Sequence, residues 1–189
     1  MNLGRVAVDW GNKNAADYVS TLMTRFGAPS AIDPTAGGMA IWKKAKISGA
    51  SCLDRIEIHD SEIPACKPFK HLTFVTVRVN LHVPPSRLLE VLSLSSSLGY
   101  DALAKQLSCR SASLETCIAI LALASQVSEA NMTANYVTSN NLVAEWVLSS
   151  TDKAKAAQMS DLLCFNLKHQ KGNPFPEGYY PLSEPEGCA

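Results

Sequence analysis

The sequence predicts an α+β fold, a small antiparallel sheet packed against a mostly helical C-terminal half. Three observations lead there. Strand-like runs cluster between Met39 and Leu81, and after Pro84 the apolar period lengthens from two residues to three or four. From Gln106 to Ser150 the only charges are Arg110, Glu115, Glu129 and Glu145, too few to give a helix there a solvated face. Strands gathered in one stretch and helices in the next argue for segregated layers, not for alternating βαβ units.

The elements follow in order. Asn12 or Asn14 can cap a helix through Phe26, with Ala15, Tyr18, Val19, Leu22 and Phe26 at helical spacing and Gly27 as its stop. Ala28 to Gly38, holding two prolines and two glycines, reads as a turn-rich loop. Met39 to Lys43 is a short strand. Arg55 to Asp60 sets Ile56 and Ile58 against Arg55, Glu57 and His59, the alternation of a half-buried strand. His71 to Leu81 places Thr73, Val75, Val77 and Val79 on one face and Leu72, Phe74, Thr76 and Arg78 on the other. That pattern predicts a central strand covered on both sides. Gly49, Pro64 and Pro68 in the connections suit a meander.

Pro84-Pro85-Ser86 opens a helix carrying Leu88, Leu89, Val91 and Leu92, because the fixed φ of proline suits a first turn. Ser95 to Gly99 ends it, and Tyr100 to Cys109 reads as another short helix on Leu103 and Leu107. Ser111 or Ser113 caps a long helix, Leu114 to Val127, apolar nearly all round and so expected at the buried centre. Leu142, Val143, Trp146 and Val147 mark a further helix. Ser150 or Thr151 caps the last, which reaches about His169 with Lys168 and His169 at its negative end. Residues 1–170 are thus expected to form one domain. Residues 171–189, with four prolines and three glycines, read as a loosely ordered tail.

The 189 residues are 47% apolar, and 17 basic residues balance 17 acidic ones. Zero net charge excludes a histone-like or polybasic protein and leaves little repulsion between copies. With the His71 to Leu81 strand apolar on both faces, it predicts a homodimer, or pairing with another protein, that buries the excess. The longest apolar run, Cys117 to Ala124, falls far short of the ~20 residues that span a bilayer, so no membrane partner is expected. No apolar leader lies between Met1 and Trp10, which predicts an intracellular, cytoplasmic protein. There the scattered Cys52, Cys66, Cys109, Cys117, Cys164 and Cys188 read as free thiols, with neither disulfide nor metal needed to fold.

Candidate chemistry is sparse. His59, Asp60, Glu62, Cys66, His71 and His82 are of zinc-ligand type, but their spacing is not that of a zinc motif and polar strand ends explain them. Cys66 with His71, or Cys109 with His82, could be paired as thiol and base. Asp60 and Glu62 point the same way on an extended chain, where a solvated turn is the default. Gly37-Gly38 misses the phosphate-loop pattern in spacing and in its final hydroxyl residue. No catalytic residue, metal or cofactor is expected. Trp42, Lys43, Lys44, Lys46, Lys67, Phe69, Lys70 and His71 interleave cations with flat rings, the combination that neutralises phosphates and stacks on bases.

Three segments, Asp33 to Lys44 (DPTAGGMAIWKK), Arg55 to His71 (RIEIHDSEIPACKPFKH) and Leu92 to Arg110 (LSLSSSLGYDALAKQLSCR), carry a resemblance. Over roughly residues 12 to 130 the chain resembles uncharacterised proteins of large DNA viruses of amoebae and algae, including marseillevirus-type virion proteins. The resemblance implies no active site. It implies a non-enzymatic structural or protein-interaction role in or around a virion; the alternative is a nucleic-acid-binding module using the lysine and aromatic cluster.

Overall fold

The computed structural model describes residues 13–33, 38–43, 52–63 and 70–170. The helices are α1 (Lys13–Phe26), α2 (Pro85–Ser93), α3 (Leu114–Ser128), α4 (Ala134–Ser139), α5 (Leu142–Ser149) and α6 (Lys153–His169). The strands are β1 (Ala31–Asp33), β2 (Met39–Lys43), β3 (Arg55–Ile63), β4 (Lys70–Asn80), β5 (Leu98–Asp101) and β6 (Gln106–Ser111). They form one antiparallel sheet in the order β1-β2-β3-β4-β6-β5. This is the expected α+β architecture, with most of the helical residues C-terminal.

Register decides which residues become core. β3 and β4 pair from Arg55↔Arg78 to Ile63↔Lys70, and β6 pairs with β4 so that Cys109 lies opposite Val77. With a side-chain period of two, Ala40, Trp42, Ile56, Ile58, Val75, Val77, Val79, Leu107 and Cys109 share one face, and all are buried. α3 lies against it, every residue from Cys117 to Ser128 buried. The Cys117 thiol donates to the Cys109 carbonyl at 3.2 Å. Its hydrogen bond with Cys109, followed by burial, pushes that thiol up and leaves it protonated.

Capping fixes how the helices seat. Ser113 accepts from the Thr116 amide at 3.2 Å, as expected. The Leu114 amide, which an isolated helix would leave without a partner, donates to the Tyr18 hydroxyl of α1 at 2.9 Å. Burial pushes that hydroxyl up to about 12. Gly27 ends α1 at φ 78°, and its carbonyl accepts from the Trp42 indole at 3.0 Å. On the far side of α3, α6 docks through a buried bond from the Asn166 amide to Ser125 Oγ at 2.7 Å.

The structure corrects several expectations. Tyr100 to Cys109 is not a helix; it supplies most of the β5–β6 hairpin. Leu107 and Cys109 face the core at period two, while Leu103 sits in the turn, 98% exposed. Asp101 closes that turn by accepting from the Leu103 and Ala104 amides, both at 2.9 Å, and Lys105 takes φ 51°. β1 occupies part of the expected loop. α6 is capped by Asp152, which accepts from Lys155 N at 3.0 Å, not by Ser150 or Thr151. Cys52 and Cys164 are not free thiols. The connection before β3 meets α6 with their Cα atoms 5.4 Å apart, within bridging range, and they form a disulfide across 112 residues. Cys109 and Cys117 are free and buried. The expected tail, 171–189, lies outside the described residues.

Candidate functional site

The second face of the sheet is polar. Alternation places Lys43 of β2, Arg55, Glu57 and His59 of β3, Phe74, Thr76 and Arg78 of β4, and Ser108 and Arg110 of β6 there. The hydrogen bonds from Trp42 to the end of α1 and from Cys117 of α3 to Cys109 join the helices to residues of the opposite face. The expectation of a central β4 largely covered on both sides holds in part: the strand is central and Thr76 is buried, while Phe74 and Arg78 stay half-exposed. Met39 and Ile41 of β2 share this face with the polar residues, and Ile41 is buried there.

Glu57 is the hub. It is only 3% exposed, an unusual position for a carboxylate without partners. His59 Nε2 lies 3.0 Å from Oε2, Arg78 Nε lies 3.4 Å from Oε1, and Arg55 Nε pairs with Oε1 as well. Burial pushes the Glu57 carboxyl up, but the hydrogen bond with His59 and the charges of Arg55 and Arg78 outweigh it and hold the group below its usual range. The carboxylate thus stays ionised. It works as a counterion that gathers cations, and is poorly suited to delivering a proton near neutral pH.

Beside this hub lies a shallow depression of about 530 Å³, bordered by Arg78, Arg110 and the small residues Ser96, Ser97, Gly99 and Ser108. The small side chains make the space. A Cβ on Gly99 would come within 3.1 Å of Ser108 Oγ. A second depression adjoins it, sharing Ser96, Ser97 and Arg110 and reaching Phe74. There the Arg110 guanidinium lies over the Phe74 ring, 4.2 Å from its centroid. Arg110 and Phe74 are diagonal neighbours across β4 and β6, since Thr76 is the direct partner of Arg110. Among the described residues Arg110 has no carboxylate partner.

Two acids near this face have partners, and β1 places a third, Asp33, on the face as well. Asp54 accepts from the Gln106 amide at 3.0 Å, and Asp101 accepts from its own turn. Arg55 and Arg78 thus pair with Glu57, and two cations, Arg78 and Arg110, line the depression together with the Glu57 carboxylate.

The residues singled out in sequence are mostly elsewhere. Trp42 is 2% exposed on the core face, so it is no stacking platform. Lys43 is exposed at the end of β2 on the polar face. Lys70 begins β4 opposite Ile63. Lys44, Lys46, Lys67 and Phe69 lie outside the described residues, as does Cys66. His59 pairs with Phe74 and His71 with Glu62, which puts positions 59 and 71 on opposite faces. His82 lies past the far end of β4, about 35 Å of extended chain from His71. No group of three His, Cys, Asp or Glu side chains could hold a metal among the described residues. Cys109 is buried under α3 and pairs with Val77, five residues short of His82.

Sequence reasoning missed Arg78, Arg110 and Phe74 as a group. Arg110 fell just past a segment read as a helix, and only the β4–β6 register brings it beside Phe74. Comparison with protein-family models, curated proteins and solved structures finds no match. No described helix is long and apolar enough to cross a membrane.

Proposed function

We propose that this is a non-enzymatic interaction protein that docks a polyanionic partner on the polar face of its sheet. The observation that carries the reading is the cation arrangement around Glu57. One buried, ionised carboxylate pairs with Arg55 and Arg78, while Arg110 and Lys43 lie on the same face without an ion pair among the described residues. The chain is neutral overall, so this attraction is local. Cations gathered on one surface raise the local concentration of anions and speed their encounter.

The test is calorimetric titration with heparin at low salt. The wild-type protein is expected to bind, more weakly as salt rises. Replacing Arg78 and Arg110 together with alanine is expected to remove most of that binding. Replacing Lys153 and Lys155 of α6 is expected to leave it unchanged. Absence of binding by the wild type at low salt, or equal losses in both double variants, would overturn the reading.

A further inference from the structure

We infer that the polyanion is a single-stranded nucleic acid, with the Arg110–Phe74 pair as the platform for a base and Arg78 and Arg55 for the backbone. The inference rests on the polyanion reading above. It adds a feature that charge alone does not call for: a flat cation seated on a half-buried ring, facing a depression. A guanidinium held 4.2 Å from an aromatic centroid is already oriented. Its other side is available for a base, and stacking on such planes tolerates any base because every base has a π-face.

The surroundings fit a strand, not a lone anion. Arg78 and Arg110 are diagonal neighbours, about 7–8 Å apart at their backbones. Arg55 lies directly beside Arg78 on the next strand. The row of cations therefore runs across the strands from β6 to β3, and the hydroxyls of Ser96, Ser97, Ser108 and Thr76 border it. A polar groove with cations along it and an aromatic pair at one end is the combination that tracks a backbone while stacking bases; Glu57 lines the same groove as the counterion of Arg78. An acidic peptide would use the cations and leave the platform idle. A duplex hides its base faces in its own stack.

Fluorescence anisotropy with a labelled 12-residue oligothymidine tests this against a duplex of equal length and against heparin. Oligothymidine is expected to bind tightest, with a slope of log affinity against log salt of about −2 to −3 if three or four phosphates are neutralised. Phe74→Leu keeps every charge and removes the ring, and is expected to weaken oligothymidine about 5- to 100-fold with heparin unchanged. Arg110→Lys keeps the charge and removes the plane; its expected loss has the same selectivity, and it serves if Phe74→Leu fails to fold. If heparin and oligothymidine both fail to bind the wild type, the polyanion reading falls and takes this one with it. If heparin binds but the duplex equals oligothymidine, or either variant weakens both ligands alike, the single-strand inference alone is overturned.

Discussion

β4 carries two different surfaces on one backbone. Val75, Val77 and Val79 are fully buried under the helices, while Phe74, Thr76 and Arg78, one residue out of step, form the polar face with Arg55, Glu57 and Arg110. Burying an aliphatic side chain contributes about 1.5–3 kcal/mol. Ion pairs whose cations are about one-third exposed contribute far less, because water screens them. Stability is therefore concentrated on one face of the sheet, and the other is free to vary with what it binds. Substitutions on the two faces should separate into different kinds of defect.

The largest loss is expected behind the buried face. Leu121→Ala in the middle of α3 should cost about 2–5 kcal/mol, through lost burial and the cavity left behind. Ile118→Ala should fall in the same range. Urea melts with unchanged slope would check both. Costs below ~1 kcal/mol for the pair would mean that α3 is not the centre of stability, and the contrast between the faces would collapse.

The disulfide ranks next. Cys52 and Cys164 close a loop with a separation of 112 residues and tie the chain entering β3 to α6. Removing it should cost about 2–4 kcal/mol, chiefly by freeing the unfolded chain. For a chain of this size, that is a fall of about 5–15 °C in Tm. Reductant on the wild type and the Cys52→Ala/Cys164→Ala double variant should agree. An unchanged Tm in both would show that the packing of α3 and α6 is sufficient alone.

How much of this was legible in sequence differs between the faces too. The buried face was readable because period two is local: Ile56 and Ile58 alternate with Arg55, Glu57 and His59 within one segment. α3 was readable from its nearly unbroken apolar run, and Ser113 from its place ahead of that run. Leu103 and Leu107 misled because a spacing of four imitates a helix, whereas Leu107 and Cys109 are the pair that packs. The polar face was not readable. Arg55, Arg78 and Arg110 come from three strands, and only strand order brings them together. The Cys52–Cys164 pairing was hidden for the same reason, since nothing local marks two residues more than a hundred positions apart.

Glu57→Gln sharpens the comparison at an intermediate size. It leaves Arg55 and Arg78 facing each other without their counterion, at a cost of about 1–3 kcal/mol, discounted because both cations reach solvent. The pH dependence has a definite sign. Because the folded group is held below its ordinary value of 4.5, its contribution is present above that value and lost as pH falls through the depressed one. The wild type should therefore lose stability relative to Glu57→Gln on acidification below about 4.5. Parallel stability curves for the two proteins across that window would show that Glu57 carries no such coupling.

The smallest effect on stability is expected at Arg110, and it is the most informative about function. Its side chain is exposed, has no carboxylate partner among the described residues, and touches the fold through the Phe74 ring. An exposed cation–π contact contributes about 0.5–1 kcal/mol. Arg110→Ala should therefore shift Tm by no more than about 2–4 °C. On the proposed reading, the Arg110–Phe74 pair serves a ligand more than the fold. The same variant should accordingly lose affinity for oligothymidine out of proportion to its stability. If Arg110→Ala instead costs more than ~2 kcal/mol and binding is unaffected, the Arg110–Phe74 pair is a structural clamp and the polar face belongs with the core.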